Sequence, residues 1–211
     1  MAEVKRKTAG YLLQSKAIIL EPAEPFTWAS GWKSPIYCDN RVTLSYPEIR
    51  SYMKEVFRET ILERFGTPDL IAGVATGAIA QGVLVAERMD LPFIYVRTSA
   101  KAHGRQNLVE GRLVPGQKVV VVEDLVSTGG SSLKAVEAIR GAGGIVKGMV
   151  AIFTYGFPVS EEAFRQAGVP LYTLSDYDTL IEMALESGYI RENQVDLLTR
   201  WRKNPSGWTG V

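Results

Sequence analysis

The sequence predicts an α/β fold in which a central parallel β-sheet is flanked by helices on both faces. Two observations carry this expectation. From Asp69 onward, apolar runs of strand length alternate with segments at helical spacing. The runs DLIAGV, PFIYVR, KVVVVE, GIVKGMVAIFTY and PLYTLS are almost unbroken in apolar residues, as buried parallel strands are. Ligands of such sheets bind beyond the carboxyl ends of the strands, so the loops after each run are where a site is expected.

Each element has its own signal. AGYLLQSKAIIL carries apolar residues at helical spacing and predicts a first helix ending near Pro22. FTWASGWKSPIYCDNR offers two short extended runs, over 26–30 and 34–40, around a Gly-Trp-Lys turn. SYPEIRSYMKEVFRETILERFG predicts a helix: Ser45 and Glu48 have capping-box spacing, Pro47 falls in the first turn and Gly66 suits the C-cap. Strand 69–74, helix 77–89 and strand 92–97 lead into VRTSAKAHGRQNLVEG, a small-residue cationic loop holding the chain's one histidine, His103. Strand 118–123, helix 131–143, strand 144–155, a short helix over 161–168 and strand 170–175 follow. Amphipathic helices at about 178–187 and 191–203 close the chain.

Composition narrows the classes of function. With 46% hydrophobic and 22% charged residues, the 211-residue chain has the make-up of an ordinary globular protein. A formal net charge of +1 provides no electrostatic footprint for nucleic acid or a membrane, and neither is expected as a partner. One cysteine, Cys38, and one histidine exclude an internal disulfide and a zinc ligand set, which suits a reducing compartment. MAEVKRKTAGYLLQ is not followed by an apolar signal region, and no apolar run approaches 18 residues. A cytoplasmic, unprocessed protein is expected.

The chemistry concentrates in KVVVVEDLVSTGGSSLKAVEAI, residues 118–139. An apolar strand runs into two adjacent carboxylates, Glu123 and Asp124. The turn Ser127-Thr128-Gly129-Gly130-Ser131-Ser132 follows, and a helix starts at once. Free backbone N–H groups at the positive end of a helix favour a phosphate, and glycines let it approach closely. The carboxylates repel that anion but suit vicinal hydroxyls or a metal, so together they describe a cradle for ribose 5-phosphate. There is no GxxxxGK[ST], and RGAGG follows a helix and suits its C-cap, so neither a P-loop nor a dinucleotide fingerprint is present.

VVVVEDLVSTGGSS resembles the phosphoribosyl diphosphate (PRPP) signature of the type I phosphoribosyltransferases. Within that family, FTWASGWKSPIYCDNR is similar to the N-terminal hood of the orotate-using branch, and VRTSAKAHGRQNLVEG to its catalytic loop. The resemblance implies a type I phosphoribosyltransferase fold forming a single domain over 1–211, with a hood over about 1–45 and a PRPP-binding core over about 46–211. It implies transfer of the 5-phosphoribosyl group from PRPP to orotate, giving orotidine 5′-monophosphate and pyrophosphate, in pyrimidine (UMP) synthesis. Glu123 and Asp124 would bind the ribose hydroxyls, and Leu125, Val126, Ser127, Thr128, Gly129, Gly130 and Ser131 would wrap the 5′-phosphate. Arg97, Lys101 and His103 would cover the pyrophosphate, with Lys101 and His103 the catalytic pair. Mg²⁺ would be held mainly by PRPP and water. In this branch the loop acts across a homodimer interface.

Orotate would meet Ser127, Tyr37, Cys38 and Tyr155. The stretch GVATGAIAQG, 73–82, matches the family's pyrophosphate loop. Three places where other branches carry lysines hold Ala29, Gly77 and Thr98 here, which throws weight onto Lys101, His103 and Arg105. Tyr155 stands where some members place an arginine against the orotate carboxylate; backbone N–H groups near Tyr37 and Cys38, or Lys33 and Arg41, could take that group. Trp28 and Trp32 are expected to pack the hood. A purine-using transferase is opposed by the SGxxSP hood. A PRPP-sensing regulator would need a basic recognition element, for which the first 25 residues are too short.

Overall fold

Val119 to Val122 alternate between two hydrophobic cores. Val120 and Val122 face helices α1 (Ala2–Gln14), α2 (Pro47–Phe65), α3 (Ile79–Met89), α6 (Tyr177–Glu186) and α7 (Glu192–Lys203), while Val119 and Val121 face α4 (Gly130–Gly141) and α5 (Pro158–Gln166). A strand's period of two sends successive side chains to opposite faces, so a strand apolar at every position must be covered twice. The computed structural model describes residues 1–28, 31–97 and 108–209. Among them, six strands form the main sheet in the order β10 (Leu171–Asp176), β9 (Ile145–Thr154), β8 (Lys118–Val126), β5 (Leu70–Val74), β6 (Phe93–Val96) and β7 (Val109–Glu110). All neighbours are parallel except β6 and β7. The parallel α/β sheet expected from the sequence is therefore present, with one short antiparallel edge. Two residues are too few to show a period, and β7 went unpredicted for that reason.

The N-terminal segment folds as two small antiparallel pairs, β1 (Ile18–Leu20) with β4 (Ile36–Cys38), and β2 (Phe26–Thr27) with β3 (Lys33–Ser34). The first helix is thus shorter than its apolar spacing suggests: it ends at Gln14, and Ile18 pairs with Cys38. AIIL fits a helical and a strand template equally, and pairing with β4 decides. Pro47 opens α2 as expected, but the capping box does not form. The residue before a proline is pushed to extended backbone, so Tyr46, with φ −110° and ψ 102°, takes the N-cap in place of Ser45. Glu48 accepts from the Tyr11 hydroxyl at 3.0 Å instead. Gly66 does end the helix, with φ +68°. Strand β8 continues three residues past Glu123, because Leu125 and Val126 still pair with Phe153 and Thr154 on β9. No helix among the described residues is long and apolar enough to cross a membrane.

An aromatic cluster welds the N-terminal pairs to the sheet. Trp201 on α7 is fully buried and meets Trp28, Tyr155, Phe157 and Tyr177 with ring centroids 5.6–5.8 Å apart. Its indole N–H donates to the Lys33 carbonyl at 3.2 Å. Trp201→Ala should cost about 3–5 kcal/mol, the range for emptying a large aromatic site, and release the β2–β3 pair. Equilibrium urea unfolding checks this; a loss below about 1 kcal/mol would show that the cluster does not hold the segment in place.

Candidate active site

Strand order places the site. From β5 the chain moves outward to β6 and β7, then returns to β8 on the other side of β5. The β5–β8 boundary is therefore a topological switch point, where the loops leaving two neighbouring strands diverge and open a crevice. A cavity of about 290 Å³ lies there, lined by Val74 at the end of β5, by residues 75–77 after it, and by Glu123, Asp124, Leu125, Ser127, Thr128, Gly129 and Ser131 from β8 and its turn.

Glu123 lies at the cavity's base, 4% exposed. Its carboxylate accepts from the Ser132 hydroxyl at 2.8 Å and from the Asp124 backbone N–H at 3.1 Å. Burial, and then the charge of Asp124, hold its carboxyl well above the usual carboxylate range. Asp124 is half-buried and rests on Gly77: a Cβ built on Gly77 would lie 2.0 Å from Asp124 Oδ2. Close approach explains the glycine, and a lysine at this place has no room beside the carboxylate as it stands. Gly129 caps α4 with φ +84°, and no side chain caps that end. The first N–H groups of α4 are thus left for an anion, with Ser131 and Thr128 beside them.

Two of the residues expected to wrap the 5′-phosphate stand apart from the cavity lining. The Val126 side chain is fully buried in the core beneath α4 and α5, and its carbonyl accepts from the Tyr155 N–H and the Thr154 hydroxyl. Val126 shares that core with Val119, Val121 and Phe164, so its side chain packs inward instead of lining the cavity. Gly130 begins α4 between two lining residues, Gly129 and Ser131, without lining the cavity itself. Arg97, at the end of β6, is directed to Glu110 across the β6–β7 edge, Nη1 to Oε1 3.5 Å. Lys101, His103 and Arg105 lie outside the described residues, as do Ala29 and Thr98.

A second cavity of about 320 Å³ adjoins the first and shares Leu125 and Ser127 with it. Its other walls are Thr27, Trp28, Tyr37, Cys38 and Tyr155. Tyr155 is 2% exposed, with Phe157 stacked on it at 5.3 Å and Trp28 at 5.5 Å. Burial holds its phenol well above the ordinary tyrosine range, so it offers a neutral wall. Burial and the charges of Asp124 and Asp39 likewise raise the Cys38 thiol, which makes it an inert small side chain. Trp28 packs the N-terminal segment, as expected, and also walls this cavity. Of the two cations considered for a substrate carboxylate, Arg41 is bidentate with Asp39 at 2.7 and 2.8 Å. Lys33 donates to the Thr27 hydroxyl at 2.8 Å on the cavity rim, and no carboxylate pairs with it among the described residues. Thr27 and Asn40 were not singled out from the sequence: their place depends on the β2–β3 pairing and on a contact across 84 residues.

An anion nest beside paired carboxylates at a switch point, opening into a flat aromatic slot, has the chemistry to hold a sugar phosphate against a planar base. The phosphoribosyl transferase domain family matches residues 42–172. The orotate phosphoribosyltransferase of Bacteroides fragilis is 61% identical over 208 residues, covering 99% of this chain and 98% of that protein. That of Porphyromonas gingivalis is 60% identical over 99% of both chains. The solved orotate phosphoribosyltransferase of Aeropyrum pernix superposes with a TM-score of 0.75 at 28% identity, covering 87% of this chain and 99% of that one. The chain belongs to the phosphoribosyltransferase family and, within it, to the orotate phosphoribosyltransferases.

Proposed function

We propose that the two adjoining cavities divide one reaction between them: the 5-phosphoribosyl group of PRPP passes to orotate, giving orotidine 5′-monophosphate and pyrophosphate, a step of pyrimidine synthesis. The observation that carries this reading is that Leu125 and Ser127 belong to both cavities, so a base in the aromatic slot lies edge-on to a sugar in the polar cradle. The free N–H groups of α4, with Ser127, Thr128, Gly129 and Ser131, take the 5′-phosphate. Glu123 and Asp124 take the ribose hydroxyls, and residues 75–77 face the pyrophosphate. Tyr155 and Trp28 hold the pyrimidine ring, with Tyr37 and Cys38 at its edge.

Cleavage of the C1–pyrophosphate bond builds positive charge on the ribose and negative charge on the leaving group. The Asp124 carboxyl group close to the sugar favours the first, and cations over the pyrophosphate favour the second. By family resemblance Arg97, Lys101 and His103 supply those cations, the latter two from a loop that reaches the partner's site in a homodimer. His103, with an ordinary value of about 6.5, suits donation to the departing pyrophosphate. Among the described residues no three His, Cys, Asp or Glu side chains converge as a metal ligand set. The hard carboxylate oxygens of Asp124 and Glu123 fit a hard cation that is carried mainly by PRPP and water. Mg²⁺ bound there would neutralise charge on the pyrophosphate. The whole chain is read as one domain, working in the cytoplasm.

Lys33 is assigned to the orotate carboxylate, since its ammonium is held by Thr27, a wall of the slot, and no acidic partner pairs with it among the described residues. Loss of orotate absorbance on mixing protein, Mg²⁺, PRPP and orotate tests the reaction itself. No turnover with orotate but turnover with a purine would overturn it. Lys33→Met should raise KM for orotate about 10–100-fold, the worth of a charged hydrogen bond, and leave KM for PRPP within about 2-fold. An unchanged orotate KM would remove Lys33 from the role.

A further inference from the structure

Asn40 is 2% exposed and starts the 3-10 turn over Asn40–Ser45. Both ends of its amide are engaged. Nδ2 donates to the Asp124 carbonyl at 2.6 Å, and Oδ1 accepts from the Cys38 thiol at 3.4 Å. The β5–β8 ladder stops at Gly73 and Val122, two residues short of Asp124, so the amide supplies a donor where the sheet no longer does. The backbone of Asn40 is anchored in turn: its carbonyl accepts from the Thr43 hydroxyl at 2.6 Å, and Gln81 Nε2 on α3 donates to that hydroxyl at 3.4 Å. Cys38 lines the aromatic slot and Asp124 the polar cradle. One buried amide therefore bridges a wall of each cavity.

We propose that Asn40 is a positioning residue that couples occupancy of the base slot to the geometry of the ribose cradle. The inference rests on the division of roles proposed above. A base seated against Cys38 restrains the Asn40 amide, and through it the peptide that carries the Asp124 carboxylate. A ribose seated on Asp124 restrains the same amide from the other side. Each ligand then finds part of its site already ordered by the other, and the effect must be equal in both directions.

The test uses orotate with ribose 5-phosphate, which fills both cavities but has no pyrophosphate to lose. Titration calorimetry with Mg²⁺ present gives the orotate Kd with and without saturating ribose 5-phosphate. The wild type should bind orotate about 5-fold or more tightly in its presence, the lower end of typical coupling between sites. In Asn40→Ala that factor should fall below about 2, while each ligand alone binds within about 3-fold of wild type, a change smaller than the coupling itself. Asn40→Asp keeps the acceptor for Cys38 but loses the donor to Asp124, and should behave in the same way. Asn40→Ser, smaller and uncharged, replaces either variant that folds poorly. A wild-type factor retained in the variants would overturn the inference, as would equal weakening of both ligands with the factor unchanged. The orotate–PRPP assay run alongside separates the two readings. Wild-type turnover with coupling unaffected by Asn40 sinks this inference alone, whereas absence of turnover sinks the functional reading and this inference with it.

Discussion

Gly77→Ala is expected to lose about 100-fold in kcat/KM for PRPP while keeping its melting temperature within a few degrees. The new methyl would lie 2.0 Å from Asp124 Oδ2, 2.4 Å from Cγ and 2.7 Å from Oδ1. Carbon and oxygen need more than 3 Å, so one of them must move by over about 1 Å. Asp124 yields, because it is a half-buried side chain with two rotatable bonds, whereas Gly77 is set by the turn between β5 and α3. The fold therefore survives and the carboxylate leaves its place. A catalytic group displaced by about 1 Å typically costs on the order of 10² in rate. Steady-state kinetics beside a thermal melt would read both parts. Undiminished activity would mean that Asp124 does not act from the position seen here.

Glu123→Gln should change stability as well as activity. Burial and Asp124 raise the Glu123 carboxyl above its ordinary value in the folded chain. Between that ordinary value, about 4.5, and the raised one, the folded state holds the proton more tightly than the unfolded state does. Wild-type stability from this group is consequently fullest below about pH 4.5 and is lost as pH rises through the folded-state value. Gln removes the titration and keeps both hydrogen bonds. Its carbonyl accepts from the Asp124 N–H, and the Ser132 hydroxyl turns to accept from its NH₂. The variant should gain on the order of 1–2 kcal/mol at neutral pH, with the gain shrinking toward zero in acid. It should lose about 10–100-fold in kcat/KM for PRPP, through weaker hydrogen bonds to ribose hydroxyls. Chemical denaturation at pH 4.5 and pH 8 with parallel kinetics is the check. A variant less stable than wild type at pH 8 would contradict the burial argument. Stability surrendered at a binding carboxylate is what a site built for function, not for folding, is expected to show.

Much of the molecule was legible one segment at a time. The valines of β8, the two acids after them and the Ser-Thr-Gly-Gly turn are adjacent in sequence, so the strand, the paired carboxylates and the uncapped start of α4 follow from backbone periods and local sterics. Where a local pattern admits two answers, distant partners chose. Ile18 to Leu20 became strand because β4 lies beside it, and Ser45 lost its cap because Pro47 holds Tyr46 extended. The site divides in the same way. Its cradle is one continuous stretch, but its base slot is assembled from residues 27–38, 125–127 and 155, and is held by Trp201 and Lys33 across 168 positions. Gly77 stood out in the sequence, but its contact with Asp124 did not, and Asn40 between Cys38 and Asp124 left no trace in the sequence pattern. The sequence by itself determined which residues want to be strand, helix or anion nest, since those preferences act over one to four residues. Only the tertiary structure decided which of those pieces touch, because a contact between distant segments is settled by the packing of the whole core and by no residue alone.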